Sequence, residues 1–489
     1  LQITDLRPVK CAHQYYVPIG NRNMTKKSPV EGKKYHFIGI GGVGTSALAA
    51  VLMKEKAVIS GSDMQTSSLT DRLSSDGALV KIGHIADNLP KELDGVVISA
   101  AVRDDNPELI EARRRNIMIY KYAQMLGLVM DRYKGVAISG THGKSTTTGW
   151  LVYVMKKLGV EPNFVVGADI SQLGSSSGVG SSEVFIAEAC EYDRSFLNFH
   201  PSVGIILNIE PDHLDYYSDI GEIVAAFGDF ANGIRPDGVF IAGAEDANVA
   251  KMLPALRNKH ILTFGLKDKF DYSAKHIKYF PDRTEFTCFN RKREIGKATI
   301  KLLGEHNVRN ALAVVAAAES MGLDEKDVLG VLGGFEGMDR RVMKKAEINN
   351  IIIYDDYAHH PTEIKASLKA MRQKYDGRKI FCVFQPHQYS RTRFLLKDFA
   401  ESFKLADMTI VPDIYFVRDT EKSKNEVNSQ MLVDAIKQKG SEAVFIDSFE
   451  KICEFLKSNV KSGDILMTMG AGNVWKVADE YIQWLGKNR

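Results

Sequence analysis

The chain has 489 residues, 44% of them apolar and 26% charged, a soluble globular composition with length for about three domains. Its 64 basic and 61 acidic residues leave a net charge of +3, which excludes a global electrostatic pull toward nucleic acid or a membrane surface. The five cysteines (Cys11, Cys190, Cys288, Cys382 and Cys453) show neither pairing nor zinc-type spacing, and no apolar run approaches the ~20 residues of a membrane span, so a reducing cytoplasm is expected.

Residues 1–32 lack the apolar stretch of a signal peptide, and they are expected to form a poorly ordered extension with no assigned function. Beyond them, strand-like apolar runs alternate with helical patterns, the signature of α/β layers with largely parallel sheets. Glycine-rich turns after strands divide the rest into blocks of 33–132, 133–333 and 334–489.

The first block opens "KKYHFIGIGGVGTSALAAVLM", a strand, a loop with Gly39, Gly41, Gly42 and Gly44, and a helix. Short strands are expected over Ala57–Ser60 and Gly95–Ser99, and Asp63 follows the loop at the interval of a dinucleotide fingerprint. Glycines let the backbone approach a diphosphate, and the helix N-terminus supplies partial positive charge. A dinucleotide, a UDP-sugar and an unliganded turn all satisfy this pattern.

The second block begins "GVAISGTHGKSTTTGWLVYVM". The common phosphate loop places four residues between its glycines, but here only Thr141 and His142 separate Gly140 from Gly143. Backbone N–H groups from Gly140 to Lys144 can form an anion nest, with Lys144 as a point charge and Ser145 or Thr146 offering a hydroxyl to Mg²⁺. Two later strands end in carboxylates: Glu188, Glu191 and Asp193 in "VFIAEACEYDRSF", then Glu210, Asp212, His213 and Asp215 in "NIEPDHLDYY". Clustered carboxylates repel unless a cation neutralises them. "GEHNVRNALAVVAAA" puts His306, Asn307 and Asn310 in the first turn of an Ala-rich helix, where His306 reads as a cap and the asparagines share a face.

In the third block, Arg340-Arg341, Asp355-Asp356, His359-His360 and Arg391-Arg393 are candidates, and the last three pairs stand at the C-terminal ends of apolar strand-like runs. Open α/β sheets bind ligands at such strand ends. An arginine after "IFCVFQ" suits a carboxylate or phosphate.

Taken in order, "HFIGIGGVGTSALA", "GTHGKSTTT", "AEACEYDRSF", "NIEPDHLDYY", "HNVRNA", "DDYAHHPTE", "FQPHQYSRTR" and "GAGNVW" resemble the Mur ligase family over residue 34 to the C-terminus. The family's phosphate loop is itself the short form. The resemblance implies a Rossmann-like N-terminal domain for a UDP-sugar, a central P-loop-type ATPase domain and a Rossmann-like C-terminal domain that closes over the site. It also implies ATP- and Mg²⁺-dependent ligation of L-alanine to the lactyl carboxylate of UDP-N-acetylmuramate, through an acyl phosphate, in cytoplasmic peptidoglycan precursor synthesis. The partners are then these small molecules, with no nucleic acid or membrane insertion, in a monomer or weak homodimer.

Carried over residue by residue, the resemblance puts Lys144 on the terminal phosphates and Ser145, Glu188 and His213 on Mg²⁺. Asn307 and Asn310 help place ATP, joined on closure by Arg341 and Asp356. His359, Arg391 and Arg393 form the wall for the amino acid's carboxylate, while Asp63, His84 and Ser99 join the glycine loop around UDP. The chain departs from the usual motif at Cys190 and Tyr192, at Thr45 and at Ala358. It has no lysine between His213 and Arg235, so the carbamylated lysine of other members is not expected. A tripeptide-recycling ligase is the alternative within the family. An NAD-dependent oxidoreductase and a nucleotide-gated binding protein are the alternatives outside it.

Overall fold

The computed structural model describes residues 30–99, 101–256, 260–417, 419 and 421–487. The expectation for residues 1–29 therefore lies outside the described residues. Three sheets follow one another along the chain.

The first is a five-stranded parallel sheet in the order Leu79–Ile82, Val58–Asp63, Lys34–Ile38, Gly95–Ile98, Ile119–Lys121. Strand order reverses between Lys34–Ile38 and Gly95–Ile98, so the glycine loop after Ile38 opens at the crevice where such sheets bind ligands. The expected strand Ala57–Ser60 instead runs Val58–Asp63, which places Asp63 at the strand's end facing that loop.

The second sheet has ten strands. Its middle is parallel: Lys134–Ser139 lies between Val203–Ile206 and Val184–Glu188. This neighbourhood brings the phosphate loop and both acidic strand ends to one edge. The helices Lys144–Lys157 and Glu305–Ser320 cover the sheet, and alanine on the second lets the two approach closely. Trp150 is fully buried, stacks on Phe335 at 5.5 Å and donates its indole N–H to the Leu332 carbonyl at 3.1 Å.

The sheet is mostly parallel, as expected, and its far edge is the antiparallel part. Tyr272–Tyr279, Thr284–Asn290 and Arg293–Ile300 form an antiparallel meander. Their connections are too short for a crossover, which takes a dozen or more residues. Arg291 and Lys292, at φ 46° and 69°, make the tight second turn.

The third sheet has six strands in the order Met343–Ile348, Ile351–Asp356, Ile465–Met469, Ile380–Phe384, Met408–Val411, Ala443–Phe445, with only the first antiparallel. Ile351–Asp356 is buried along its whole length, as an apolar strand covered on both faces should be.

The first unit meets the second through the helix Tyr122–Met130. Gly127 on that helix sits against the Asn198 carbonyl so closely that a methyl group there would overlap it. Gly127→Ala is therefore expected to destabilise the protein by about 1–3 kcal/mol. Urea denaturation would check this, and an unchanged midpoint would contradict it.

Candidate active site

The phosphate loop owes its shape to two glycines and a neighbouring strand. Gly140 (φ +138°) and Gly143 (φ +84°) lie in the left-handed region. A Cβ on Gly140 would press on Leu207 Cβ at 3.0 Å and on the Leu207 and Asn208 amide nitrogens at 3.1 and 3.2 Å, and one on Gly143 on Asn310 at 3.0 Å. Asn208 clips the loop: it accepts from the Thr141 amide through its carbonyl (3.0 Å) and from the His142 amide through Oδ1 (2.8 Å). Its Nδ2 donates back to the His142 carbonyl at 3.0 Å. The expected nest of amides from Gly140 onward is thus partly spent inside the protein. The anion cradle that remains is the N-terminus of the helix Lys144–Lys157.

Lys144 Nζ folds back over this loop, donating to Gly140 and Thr141 carbonyls and gripping Glu191 at 2.9 and 3.0 Å. Burial opposes its charge, yet Glu191 and the nearby acidic groups hold the ammonium above its ordinary range. Glu188 accepts from the Gly167 amide at 2.6 Å; burial raises its carboxyl, while Ser145, Lys144 and Arg341 oppose the rise. His213 takes φ +54° and sets Nε2 at 3.8 Å from both Glu191 and Asp212. Lys144, Ser145, Glu188, Glu191 and His213 therefore share one strand-end region. Of the altered positions, Cys190 is exposed, and Tyr192 packs edge-on against the His213 ring at 5.1 Å.

Beside this region lies a cavity of about 490 Å³. One wall carries His142, Gly143, Ser145, Thr146, Asn307 and Asn310, and the opposite wall Arg341, Asp356 and Glu363 from the third unit. Asn307 donates to the Leu303 carbonyl (2.8 Å) and accepts from Asn310 (3.2 Å), so the pair is fixed before any ligand arrives. His306 is not the cap. Gly304 (φ +89°) occupies that position, and the His306 ring turns to Asn307 at 3.1 Å because it already lies inside the first turn. Burial in an apolar, cationic corner lowers its imidazole to about 4.

Asp356 is buried, with one oxygen accepting from the Val342 amide at 3.3 Å and the other without a hydrogen-bond partner of good geometry among the described residues. Burial pushes its carboxyl up to about 6, against the pull of Ser367 and Arg341. Arg341 lies over the Tyr357 ring at 5.1 Å and 3.6 Å from Glu363.

The second and third units interlock through charge. Arg391, on the short helix Tyr389–Phe394, is buried and donates to Asp212 Oδ1 from Nε (3.0 Å) and Nη2 (2.8 Å). Burial alone would raise the Asp212 carboxyl, but Arg391 and the surrounding histidines hold it far below the usual carboxylate range. His387 completes the group, with Nδ1 3.2 Å from Arg391 Nη1. His359 donates its amide to Glu363 at 3.0 Å, and burial lowers its ring to about 4, leaving it neutral. Arg393 does not join them. Two positions along a helix turn a side chain to the other face, and Arg393 pairs with Glu426 at 2.6 Å on a half-exposed surface.

In the first unit, Asp63 accepts the Gly41 amide at 2.8 Å. A Cβ on Gly39 (φ +80°) would strike Ser99 Oγ at 2.8 Å, on Gly42 the Thr45 hydroxyl at 2.9 Å, and on Gly44 the Tyr122 ring at 2.8 Å. Thr45 ties the loop by donating to the Gly39 carbonyl at 2.7 Å. His84 is held by Ser62 (2.9 Å) and the buried Glu108 (3.3 Å). Sequence reasoning passed over Asn208, Glu363 and His387. Each is a single polar residue after an apolar strand or a histidine pair, a pattern that becomes a site only once the units meet.

Family models match the chain almost end to end: Mur ligase family catalytic domain over residues 34–134, Mur ligase middle domain over 138–318, and Mur ligase glutamate ligase domain over 340–472. The UDP-N-acetylmuramate–L-alanine ligase of Caldanaerobacter subterraneus subsp. tengcongensis is 41% identical over 453 residues, covering 92% of this chain and 97% of that protein. The enzyme of the same name from Alkaliphilus metalliredigens is 43% identical over 448 residues, with 91% and 96% covered. Among solved structures, the UDP-N-acetylmuramate–alanine ligase of Thermotoga maritima superposes with a TM-score of 0.76 at 28% identity, over 93% of this chain and all 100% of that one.

The buried Asp356 carboxyl yields a pH prediction. Its pKa is raised in the folded state, so the protein loses stability as pH rises from the ordinary carboxylate range through about 6. Asp356→Asn should therefore match the wild type near pH 4 and exceed it by about 2–3 kcal/mol above pH ~7. Urea melts at the two pH values check this. A gain that is the same at both would contradict it.

Proposed function

The chain belongs to the Mur ligase family, and from that premise we propose that it ligates L-alanine to UDP-N-acetylmuramate at the expense of ATP, in peptidoglycan precursor synthesis. Residues 33–132 bind the UDP-sugar, 133–333 bind ATP, and 334–489 bind the amino acid and close the site. The observation that carries this reading is the cavity walled by a short phosphate loop on one side and by Arg341 and Asp356 on the other, in a chain so similar to named L-alanine ligases.

The chemistry addresses a poor electrophile. A lactyl carboxylate oxygen attacks the γ-phosphorus of ATP, and the bond to ADP breaks. The neutral amine of alanine then attacks the acyl carbon, and phosphate leaves with the C–O bond electrons. Negative charge crowds both steps, so fixed cations and N–H dipoles carry the catalysis. Lys144 leaves Glu191 for the terminal phosphates, and the helix N-terminus behind it receives the same anions. Asn307 and Asn310 place the nucleotide, with Arg341 and Asp356 meeting it from the other wall. His359 and Arg391 face the amino acid.

The donor set also suits Mg²⁺. The Ser145 hydroxyl and Glu188 carboxylate are hard oxygen donors beside the cradle, and His213 stands nearby. The ion would neutralise phosphate charge where those residues hold it. His84, Asp63 and Ser99 with Gly39, Gly41, Gly42 and Gly44 line the UDP side.

Two experiments bear on this. Given Mg²⁺-ATP, UDP-N-acetylmuramate and equal L-alanine and tripeptide, mass spectrometry should find the alanyl product dominant; a tripeptide product instead would move the assignment to a recycling ligase. Lys144→Ala should lower turnover by at least about 10²-fold while calorimetric binding of UDP-N-acetylmuramate stays near wild type. Equal loss of both would contradict separate sites for the two nucleotides.

A further inference from the structure

Where the second unit meets the third, His142, Glu210 and His360 converge, with one ligand atom from each within 4.8 Å of the others. His142 comes from the phosphate loop, Glu210 from the end of the neighbouring strand segment, and His360 from the N-terminus of the helix Pro361–Lys374. These three are not the Ser145, Glu188 and His213 set, although His142 and Glu210 also line the cavity proposed for ATP.

The outer nitrogens fix how the rings face. His142 Nδ1 lies 3.3 Å from Glu363 Oε1, so the carboxylate takes that N–H. His360 Nε2 lies 3.2 Å from the Pro211 carbonyl, which accepts the proton there. Each histidine is thus held from behind by an oxygen acceptor, the arrangement that orients metal-ligating imidazoles and raises their basicity. Both inner nitrogens then face the same oxygen: His142 Nε2 stands 3.5 Å and His360 Nδ1 3.8 Å from Glu210 Oε2. Thr362 now holds two of these atoms, its amide donating to His360 Nδ1 at 3.3 Å and its hydroxyl to Glu210 Oε2 at 2.5 Å, contacts that a bound ion would replace. His142 Nε2 is buried and, among the described residues, has no hydrogen-bond partner of good geometry.

Those spacings are informative. Ligands 2.0–2.1 Å from a tetrahedral ion lie about 3.3–3.4 Å apart. The two short separations are within half an ångström of that value, so modest side-chain movement closes the set. Two imidazoles and one carboxylate favour a borderline transition ion over Mg²⁺.

We propose that His142, Glu210 and His360 form a binding site for a divalent transition metal, Zn²⁺ or Co²⁺, that bridges the second and third units. The ion binds at His142 Nε2, His360 Nδ1 and a Glu210 oxygen and leaves a fourth position for water. Because its ligands come from both units, the ion clamps them together, and it does so on the phosphate loop itself.

Calorimetry with Zn²⁺ alone on the full chain tests this, alongside the visible spectrum with Co²⁺. The expected result is one Zn²⁺ per chain and the intense visible bands of tetrahedral Co²⁺, with affinity falling about tenfold or more in both H360Q and E210Q. E210Q serves because H360Q also removes a helix cap. Glu188→Gln should leave Zn²⁺ affinity within about twofold. Absence of stoichiometric binding, insensitivity to both substitutions, or an equal loss in Glu188→Gln would overturn the site, the last by placing the ion with Ser145 and His213.

Discussion

The structure depends on how buried negative charge is neutralised. Glu191 and Asp212 are buried beyond the ends of two parallel strands, with Glu188 half-buried beside them, and the third unit adds the buried Asp356 and the half-buried Glu363. An isolated buried carboxylate costs several kcal/mol, and breaking a buried pair by removing one partner about 3–5. The protein meets this demand largely across its own seam. Arg391 of the third unit pairs with Asp212 of the second, and His142 of the second with Glu363 of the third. Each unit therefore lacks something the other supplies, and the site exists where they meet.

The same arrangement explains why the site is ready for a polyanion. Lys144 already faces Glu191, so an arriving phosphate exchanges one anionic partner for another without moving a bare charge into a dry pocket. Asn307 and Asn310 are locked to each other, and Asn208 locks the loop, so little side-chain entropy remains to be lost on binding.

Much of this was legible in the sequence wherever the signal is local. A glycine loop between a strand and a helix is readable because only glycine takes the left-handed backbone and close approaches such a turn needs, and the turns at Gly39–Gly44 and Gly140–Gly143 fell where expected. The acidic strand ends were readable for the same reason. What was not legible depends on the fold. Asn208 matters only because Val203–Ile206 lies beside Lys134–Ser139, and Glu363 only because its helix points at the second unit. Arg393 was misjudged because nothing in "YSRTR" says which arginine faces inward. The meander was missed because its tight turn is Arg291-Lys292, where left-handed backbone usually selects Asn and Gly.

Nucleotide cleavage should be coupled to both other substrates. The most direct measurement is ADP release with UDP-N-acetylmuramate, Mg²⁺-ATP and L-alanine, leaving out one component at a time. Sustained release is expected only when all three are present. Equal release without alanine or without the UDP-sugar, or silence from a folded protein that binds all three, would contradict that coupling.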